Sequence, residues 1–491
     1  MTDGLDPRRS PVDLSAEQFR EIGHALVDGL ADFWDTVDER PVTPGDDPAQ
    51  AWSLIGKRRL PDEGEDAGEV MRSSFEAMAA GSLLNGHPRF MGYITSSAAP
   101  LGVLSDLLAA SINPNCGGWP LSPVAGAIEI QTVQWIGELL GYRSPCSGLM
   151  CSGGNVANMI GFWVARTAAL GQESRSKGVS PGLCAYAPAA THTWLEKASD
   201  LSGVGRDAVR MLPGKDELMS PTDLEQAVLR DKDNGLKPFL VVASGGTVST
   251  GQVDDIGGIA DVCEKHGLWL HVDGAYGAPA ACLPEAPAGL KALARADSIA
   301  VDPHKWLYSP LEAGCVLTRD RQCLLDAFSY RPPYYHFGRE DSEDWISFFE
   351  VGIQNSRAFR ALKVWTVLRQ LGRKGYVETI GQDVALARAL AGFVEDEPEL
   401  ELKSCRLSIA CFRYVPPGVT DTEYLNRLNE AILSAVCNSG RAFVSNAVID
   451  GEYLLRACIV NFRTGFSDVQ ELASLCASEG RRLDSEMRSK V

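Results

Sequence analysis

A carboxylate and an amine carry the first chemical signal in this chain. Asp273 closes the apolar run Leu268-Trp-Leu-His-Val272 and is followed at once by Gly274, Ala275 and Tyr276. Lys305 stands in Asp302-Pro-His304-Lys305-Trp306, directly after a second apolar run, Ser298–Val301. A carboxylate at the end of a buried strand is costly unless it is paired or hydrogen-bonded, so Asp273 needs a partner. A lysine amine in an environment that lowers its pKa is a nucleophile toward aldehydes. The two together could hold and covalently bind an aldehyde cofactor. Upstream, Ser152-Gly153-Gly154-Asn155 lies between a strand and a helix, where glycines admit a ligand close to the backbone and helix-start N–H groups attract a phosphate. The pattern is neither Gly-x-Gly-x-x-Gly nor a P-loop, which weakens dinucleotide and nucleoside-triphosphate readings. His192 and Ser244-Gly-Gly-Thr247 also follow apolar runs; a histidine there is more often an ordinary helix-start residue than a ligand contact, and the small and hydroxyl groups at 244–247 fit a cofactor face or a plain loop. A phosphate anchor, a carboxylate for a ring nitrogen and a Schiff-base lysine, in that chain order, meet the needs of pyridoxal 5'-phosphate.

The elements that must position these groups are legible from periodicity. Short strand-like runs at Leu183–Tyr186, Val209–Leu212, Phe239–Ala243, Leu268–Val272, Ser298–Val301 and Gly314–Leu317 alternate with helical segments such as Val156–Leu170, Thr222–Arg230 and Ile256–His266. Repeated strand–helix units predict an α/β domain with a mostly parallel sheet. Before them, Ser15 and Gln18 form a capping box ahead of a helix with Phe19, Ile22, Leu26, Leu30, Phe33 and Val37 on one stripe. Pro41, Pro44, Gly45 and Pro48 read as a loop, and a second helical pattern runs from Val70 to Met78. These early helices have no core of their own in sequence, which favours burial on a second subunit over packing within one chain. After a long helix near Arg357–Leu371, strands at Glu401–Ser404, Ser408–Tyr414 and Leu454–Val460 with helices at Thr422–Ala435 and Asp468–Glu486 predict a smaller α+β domain. The expected division is an N-terminal helical segment over 1–85, a large α/β domain over 86–375 and a small C-terminal domain over 376–491.

Composition narrows the field. The chain has 491 residues, 45% of them hydrophobic and 22% charged, ordinary for a globular enzyme. A formal net charge of −18 disfavours nucleic acid and anionic membranes as partners. The 13 cysteines include no Cys-x-x-Cys pair, which points to reduced thiols in a cytoplasmic setting and to no metal site. The first residues are polar, with no signal core, and no apolar run approaches the ~20 residues of a spanning helix.

Taken together, the motifs resemble the group II pyridoxal-phosphate-dependent amino-acid decarboxylases, a family that includes the aromatic-L-amino-acid, glutamate and cysteine-sulfinate enzymes. The likeness is carried by His271-Val-Asp273-x-Ala275-Tyr276 and Asp302-Pro-His304-Lys305-Trp306, and by His87-Pro-Arg-Phe90, Ser122-Pro123 with Glu129, Ser152-Gly-Gly and Ser356-Arg357 with Leu362-Lys363-x-Trp365, in the family's order. It implies the aspartate-aminotransferase-like fold (fold type I), a homodimer with the site at its interface, and removal of the carboxylate of an L-amino acid, most readily an aromatic one. By resemblance Lys305 is the Schiff-base lysine, Asp273 the partner of the pyridine nitrogen, His192 the imidazole stacked on the ring and Ala275 the residue on its other face. Gly154 and Asn155 resemble the phosphate-binding pair, relatives often carrying a hydroxyl residue in place of Asn155. Asp302 and His304 resemble neighbours of the phosphate and the lysine, and Thr247 the residue on the ring-hydroxyl side. Tyr334, in Arg331-Pro-Pro-Tyr334-Tyr335-His336, is similar to a loop tyrosine assigned as proton donor, with Tyr335 one place away. Its retention favours simple decarboxylation, because relatives that replace it form aldehydes. Tyr93, Thr95, Cys116 and Gly118 are expected to line the substrate side-chain pocket. Gly118 stands where aromatic decarboxylases carry a large apolar residue, which leaves the substrate open. The alternatives are an aldehyde-forming enzyme on the same cofactor, a decarboxylase of a non-aromatic amino acid such as glutamate or diaminobutyrate, and a catalytically silent scaffold.

Overall fold

The strand at the centre of the molecule is the one that ends in Asp273. A computed structural model describes residues 10–214, 217–331 and 345–489 of the chain. Seven of its strands form one sheet: β1 (Ser147–Cys151), β2 (Leu183–Pro188), β3 (Val209–Leu212), β4 (Lys237–Ser244), β5 (Trp269–Asp273), β6 (Ser298–Val301) and β7 (Gly314–Thr318). Their order is β1-β7-β6-β5-β4-β2-β3. The pairs from β6 through β3 are parallel, while β7 runs antiparallel to both β6 and β1. The sheet is therefore mostly parallel, as the strand–helix alternation predicts, with one reversed strand that short apolar runs do not distinguish.

Both faces of this sheet are covered, which is why its strands read as nearly continuous apolar runs. Along β4, Val241 and Ala243 enter one core with Leu270, Val272 and Ile299, while Leu240 and Val242 enter the opposite core with Phe162 and Val316. The alternation follows from the two-residue period of a strand. The helix Gly154–Leu170 lies across β4 to β7 on that second face. All six parallel strands end on one edge, so Ser152, Ser244, Asp273 and Asp302 arrive there together.

A second sheet has the order β10-β11-β9-β8, from β8 (Leu400–Arg406), β9 (Ile409–Tyr414), β10 (Ser445–Ile449) and β11 (Glu452–Cys458), all antiparallel. The helices Thr422–Asn438 and Phe466–Arg488 bury its apolar face in a separate core. The long helix expected near Arg357–Leu371 starts at Arg360 and ends where expected, at Gly372, where φ is 58° and ψ is 177°; a further helical stretch, not foreseen, carries on to Asp396. Glycine tolerates that conformation, so the two stretches join at a kink.

At the N-terminus the capping box forms as expected, with Gln18 N donating to Ser15 Oγ at 3.1 Å. The segment opened by Pro48 is not all loop. Asp47 caps a helix over Pro48–Ile55, with proline in the first turn where its missing N–H costs nothing. The helix Ala16–Asp35 buries none of its residues, and Phe19 is 59% exposed. Among the described residues no helix is long and apolar enough to cross a membrane.

Candidate active site

The carboxyl edge of the large sheet opens into a cavity of about 600 Å³. Asp273 stands at its floor, with each carboxylate oxygen already engaged. Oδ2 accepts the indole N–H of Trp194 at 2.7 Å, and Oδ1 accepts the Ala275 backbone N–H at 3.2 Å. Trp194 is fully buried at the start of the helix Trp194–Leu201, and its backbone N–H also reaches His192 Nδ1 at 3.3 Å. One tryptophan therefore orients both the carboxylate and the imidazole. It escaped the sequence reading, although a buried indole N–H always demands an acceptor.

Beside Asp273 on β5, His271 is enclosed by Asn158 and Ser298. The Trp269 indole donates to Ser298 Oγ at 2.8 Å, Ser298 Oγ lies 2.8 Å from His271 Nδ1, and His271 Nε2 lies 2.7 Å from Asn158 Oδ1. All partners are satisfied if the serine donates to Nδ1 and Nε2–H donates to Asn158. Burial pushes the imidazole down to about 4, in keeping with that neutral form. Asn158 reaches the cavity wall, so this chain ties the base of β5 to the site.

Lys305 follows β6 in a turn closed by its own backbone N–H on Asp302 O at 2.9 Å. Its Nζ lies 2.9 Å from Asp302 Oδ2, while Asp302 Oδ1 is buried without a donor. His304 is held through Nδ1 against the Ala313 backbone, and burial lowers its pKa. Opposite these groups the helix Gly154–Leu170 begins. A Cβ on Gly154 would lie 2.6 Å from Asp302 Oδ2 and 3.2 Å from the Ala275 Cβ, so only a glycine lets the backbone come this close. The first N–H groups of that helix have no helical partner, and they face the cavity together with Asn155. An anion-seeking helix start and an orphaned carboxylate oxygen suit a phosphorylated, donor-bearing ligand.

Of the remaining sequence candidates, His192, Thr247, Ala275, Tyr93 and Thr95 all line the same cavity. Thr247 is fixed at its hydroxyl by Thr250 at 2.9 Å and by the Gln252 N–H at 3.1 Å. Tyr93 is 56% exposed at the mouth and packs on Phe443. Cys116 and Gly118 are not brought to this cavity by the single chain. They sit in a loop held by Arg357, which donates to Cys116 O at 3.2 Å and pairs with Glu129 at 2.5 and 2.9 Å, both side chains 1% exposed. Burial pushes the Cys116 thiol up to about 12, so it stays protonated. Tyr334 and Tyr335 lie outside the described residues.

A lysine and a carboxylate delivered by neighbouring parallel strands to a glycine-lined helix start, on a fold type I sheet, define a pyridoxal-phosphate enzyme. The comparisons narrow the class. The pyridoxal-dependent decarboxylase conserved domain matches residues 50–415, and the chain belongs to that family of amino-acid carboxy-lyases. It is 30% identical to an aromatic-L-amino-acid decarboxylase of Bacillus atrophaeus, over 94% of this chain and 95% of the relative. It superposes with a TM-score of 0.91 on a solved structure described as Oryza sativa TDC with PLP and tryptamine, at 27% identity, covering 97% of this chain and all of that one. The 4-hydroxyphenylacetaldehyde synthase of Rhodiola rosea gives a TM-score of 0.86 at 26% identity, with 96% and 99% covered.

Proposed function

We propose that this enzyme releases carbon dioxide from an aromatic L-amino acid and returns the amine. The observation that carries the substrate class is the cavity wall. Lys305 and the imidazoles of His192 and His304 are the only basic side chains among its described lining residues, with no arginine among these to pair with an acidic substrate side chain. The aromatic relatives support the same reading.

Bound pyridoxal phosphate supplies the electron sink for the pair left behind by departing carbon dioxide. The chain's residues do the rest. Lys305 would anchor the cofactor covalently. Asp273, oriented by Trp194, would keep the ring nitrogen protonated, and His192 and Ala275 would hold the ring between them. Gly154 and Asn155 would take the phosphate, with Asp302, His304 and Thr247 as further contacts. Tyr334 would donate the proton to carbon, with Tyr335 as the neighbouring candidate. Tyr93 and Thr95 border the substrate side chain. A homodimer would bury the helix Ala16–Asp35 and bring Cys116 and Gly118 to the partner's cavity. The 13 free cysteines support a reducing, cytoplasmic setting. The division between 86–375 and 376–491 is supported by the two separate sheets, with 1–85 assigned as the N-terminal helical segment ahead of them.

Carbon dioxide release measured across the twenty amino acids and hydroxylated aromatic derivatives tests the proposal. Stoichiometric amine from an aromatic substrate is the expected result. Release confined to glutamate or diaminobutyrate refutes the substrate class. Aldehyde, ammonia and peroxide formed in step with carbon dioxide would instead establish the second reading, which the similarity to the aldehyde synthase favours.

A further inference from the structure

Lys305 is followed by a turn whose members are all excluded from solvent. Trp306, Leu307 and Tyr308 are at most 1% exposed. Tyr308 has a φ of 58°, in the left-handed region that a bulky residue rarely adopts. Such a conformation persists only where its surroundings over-determine it.

What holds this turn comes from the far half of the helix Arg360–Asp396, beyond its break at Gly372. The Asp383 carboxylate accepts the Trp306 indole N–H and the Tyr308 hydroxyl, each at 2.8 Å and both on Oδ2. Tyr376, two turns earlier, stacks on Tyr308 at 6.4 Å between ring centres, and its hydroxyl donates to Leu307 O at 3.3 Å. On the other side Trp306 stacks on Tyr276 at 5.1 Å, next to the cavity residue Ala275.

Asp383 is 2% exposed, no lysine or arginine pairs with it among the described residues, and no step of the reaction uses it. Burial pushes its carboxyl up to about 7, against the two hydrogen bonds that lower it. A buried carboxylate without a counter-ion is a poor way to stabilise a fold, since apolar packing would serve as well. Its two donors, however, flank Leu307 immediately after the lysine. We propose that Asp383 is a positioning residue for Lys305, fixing at one carboxylate oxygen the Trp306–Tyr308 turn that aims the amine into the cavity. This rests on Lys305 being the cofactor-bearing lysine.

The test uses cofactor-free full-length protein and reads the rate at which the visible absorption band forms when pyridoxal phosphate is added, together with kcat and KM. Asp383→Ala is expected to slow band formation and lower kcat about tenfold or more, with KM moved less than about twofold. Tyr308→Phe keeps the ring stacked on Tyr376 and removes one donor, for an expected slowing of about threefold. In Asp383→Asn the carbonyl oxygen can still accept both donors, which should restore the rate to within about threefold of wild type. If Asp383→Ala does not fold, Tyr308→Phe decides: slowed band formation supports the assignment and a wild-type rate overturns it. A wild-type rate and kcat in Asp383→Ala, or losses that only track its folded fraction, also overturn it. If the band forms without Lys305, or not at all in wild type, the lysine assignment falls as well. A band that depends on Lys305 but is indifferent to Asp383 and Tyr308 removes only the present proposal.

Discussion

Replacing Asp273 by asparagine probes the site more sharply than truncation, because the structure leaves the amide no good orientation. Both oxygens of Asp273 accept hydrogen bonds, Oδ2 from the Trp194 indole at 2.7 Å and Oδ1 from the Ala275 N–H at 3.2 Å. An asparagine turned either way points its NH₂ at a donor. One charge-assisted hydrogen bond is lost and replaced by a donor–donor contact, worth about 1.5–3 kcal/mol. If that loss is felt at the cofactor, its affinity falls about ten- to hundredfold. Turnover should fall further, because a neutral amide also stops favouring the protonated ring nitrogen. Fluorescence titration with pyridoxal phosphate gives the affinity, and carbon dioxide release gives kcat. An Asp273→Asn enzyme within about threefold of wild type in both would refute the role given to this carboxylate.

Other predictions follow from single contacts. Glu129→Gln strips the counter-ion from Arg357, both side chains being 1% exposed, and should cost about 3–5 kcal/mol in denaturant unfolding of the holoenzyme. Gly154→Ala sets a methyl 2.6 Å from Asp302 Oδ2, so the buried carboxylate must shift and weaker cofactor binding is expected from titration. His271 is buried neutral with its pKa lowered to about 4 from 6.5, so the unfolded chain binds the extra proton first on acidification. Its contribution to stability is complete above pH 6.5 and is lost as pH falls toward 4. The stability gap between wild type and His271→Gln should therefore shrink by about 1.5 kcal/mol between pH 6.5 and pH 5, measured by denaturation at each pH.

The sequence announces what is local. Buried strands read as short apolar runs, and both Asp273 and Lys305 follow such runs, so the sheet edge and its two principal groups are visible without coordinates. The capping box at Ser15 and the helix Ile256–His266 are equally plain, because caps and apolar stripes are written within a few residues. Contacts between distant segments are not. Nothing in the sequence pairs Trp194 with Asp273, Asp383 with Trp306 and Tyr308, or Glu129 with Arg357, although each pairing satisfies a buried donor or charge. The strand Ser445–Ile449 is missed because it is an edge strand with exposed Asn446 and Val448, which blurs its alternation. The helix over Pro48–Ile55 hides among prolines, since proline at a helix start looks like proline in a loop. Past Gly372 the helix resumes in a new direction, which a single glycine does not reveal.

The measurement closest to the central claim is chemical. The holoenzyme is reduced with borohydride, digested, and its peptides mapped by mass spectrometry. A pyridoxyl-phosphate adduct on Lys305 alone, absent from Lys305→Ala, is the predicted result. An adduct on another lysine, or none in wild type saturated with the cofactor, would contradict it.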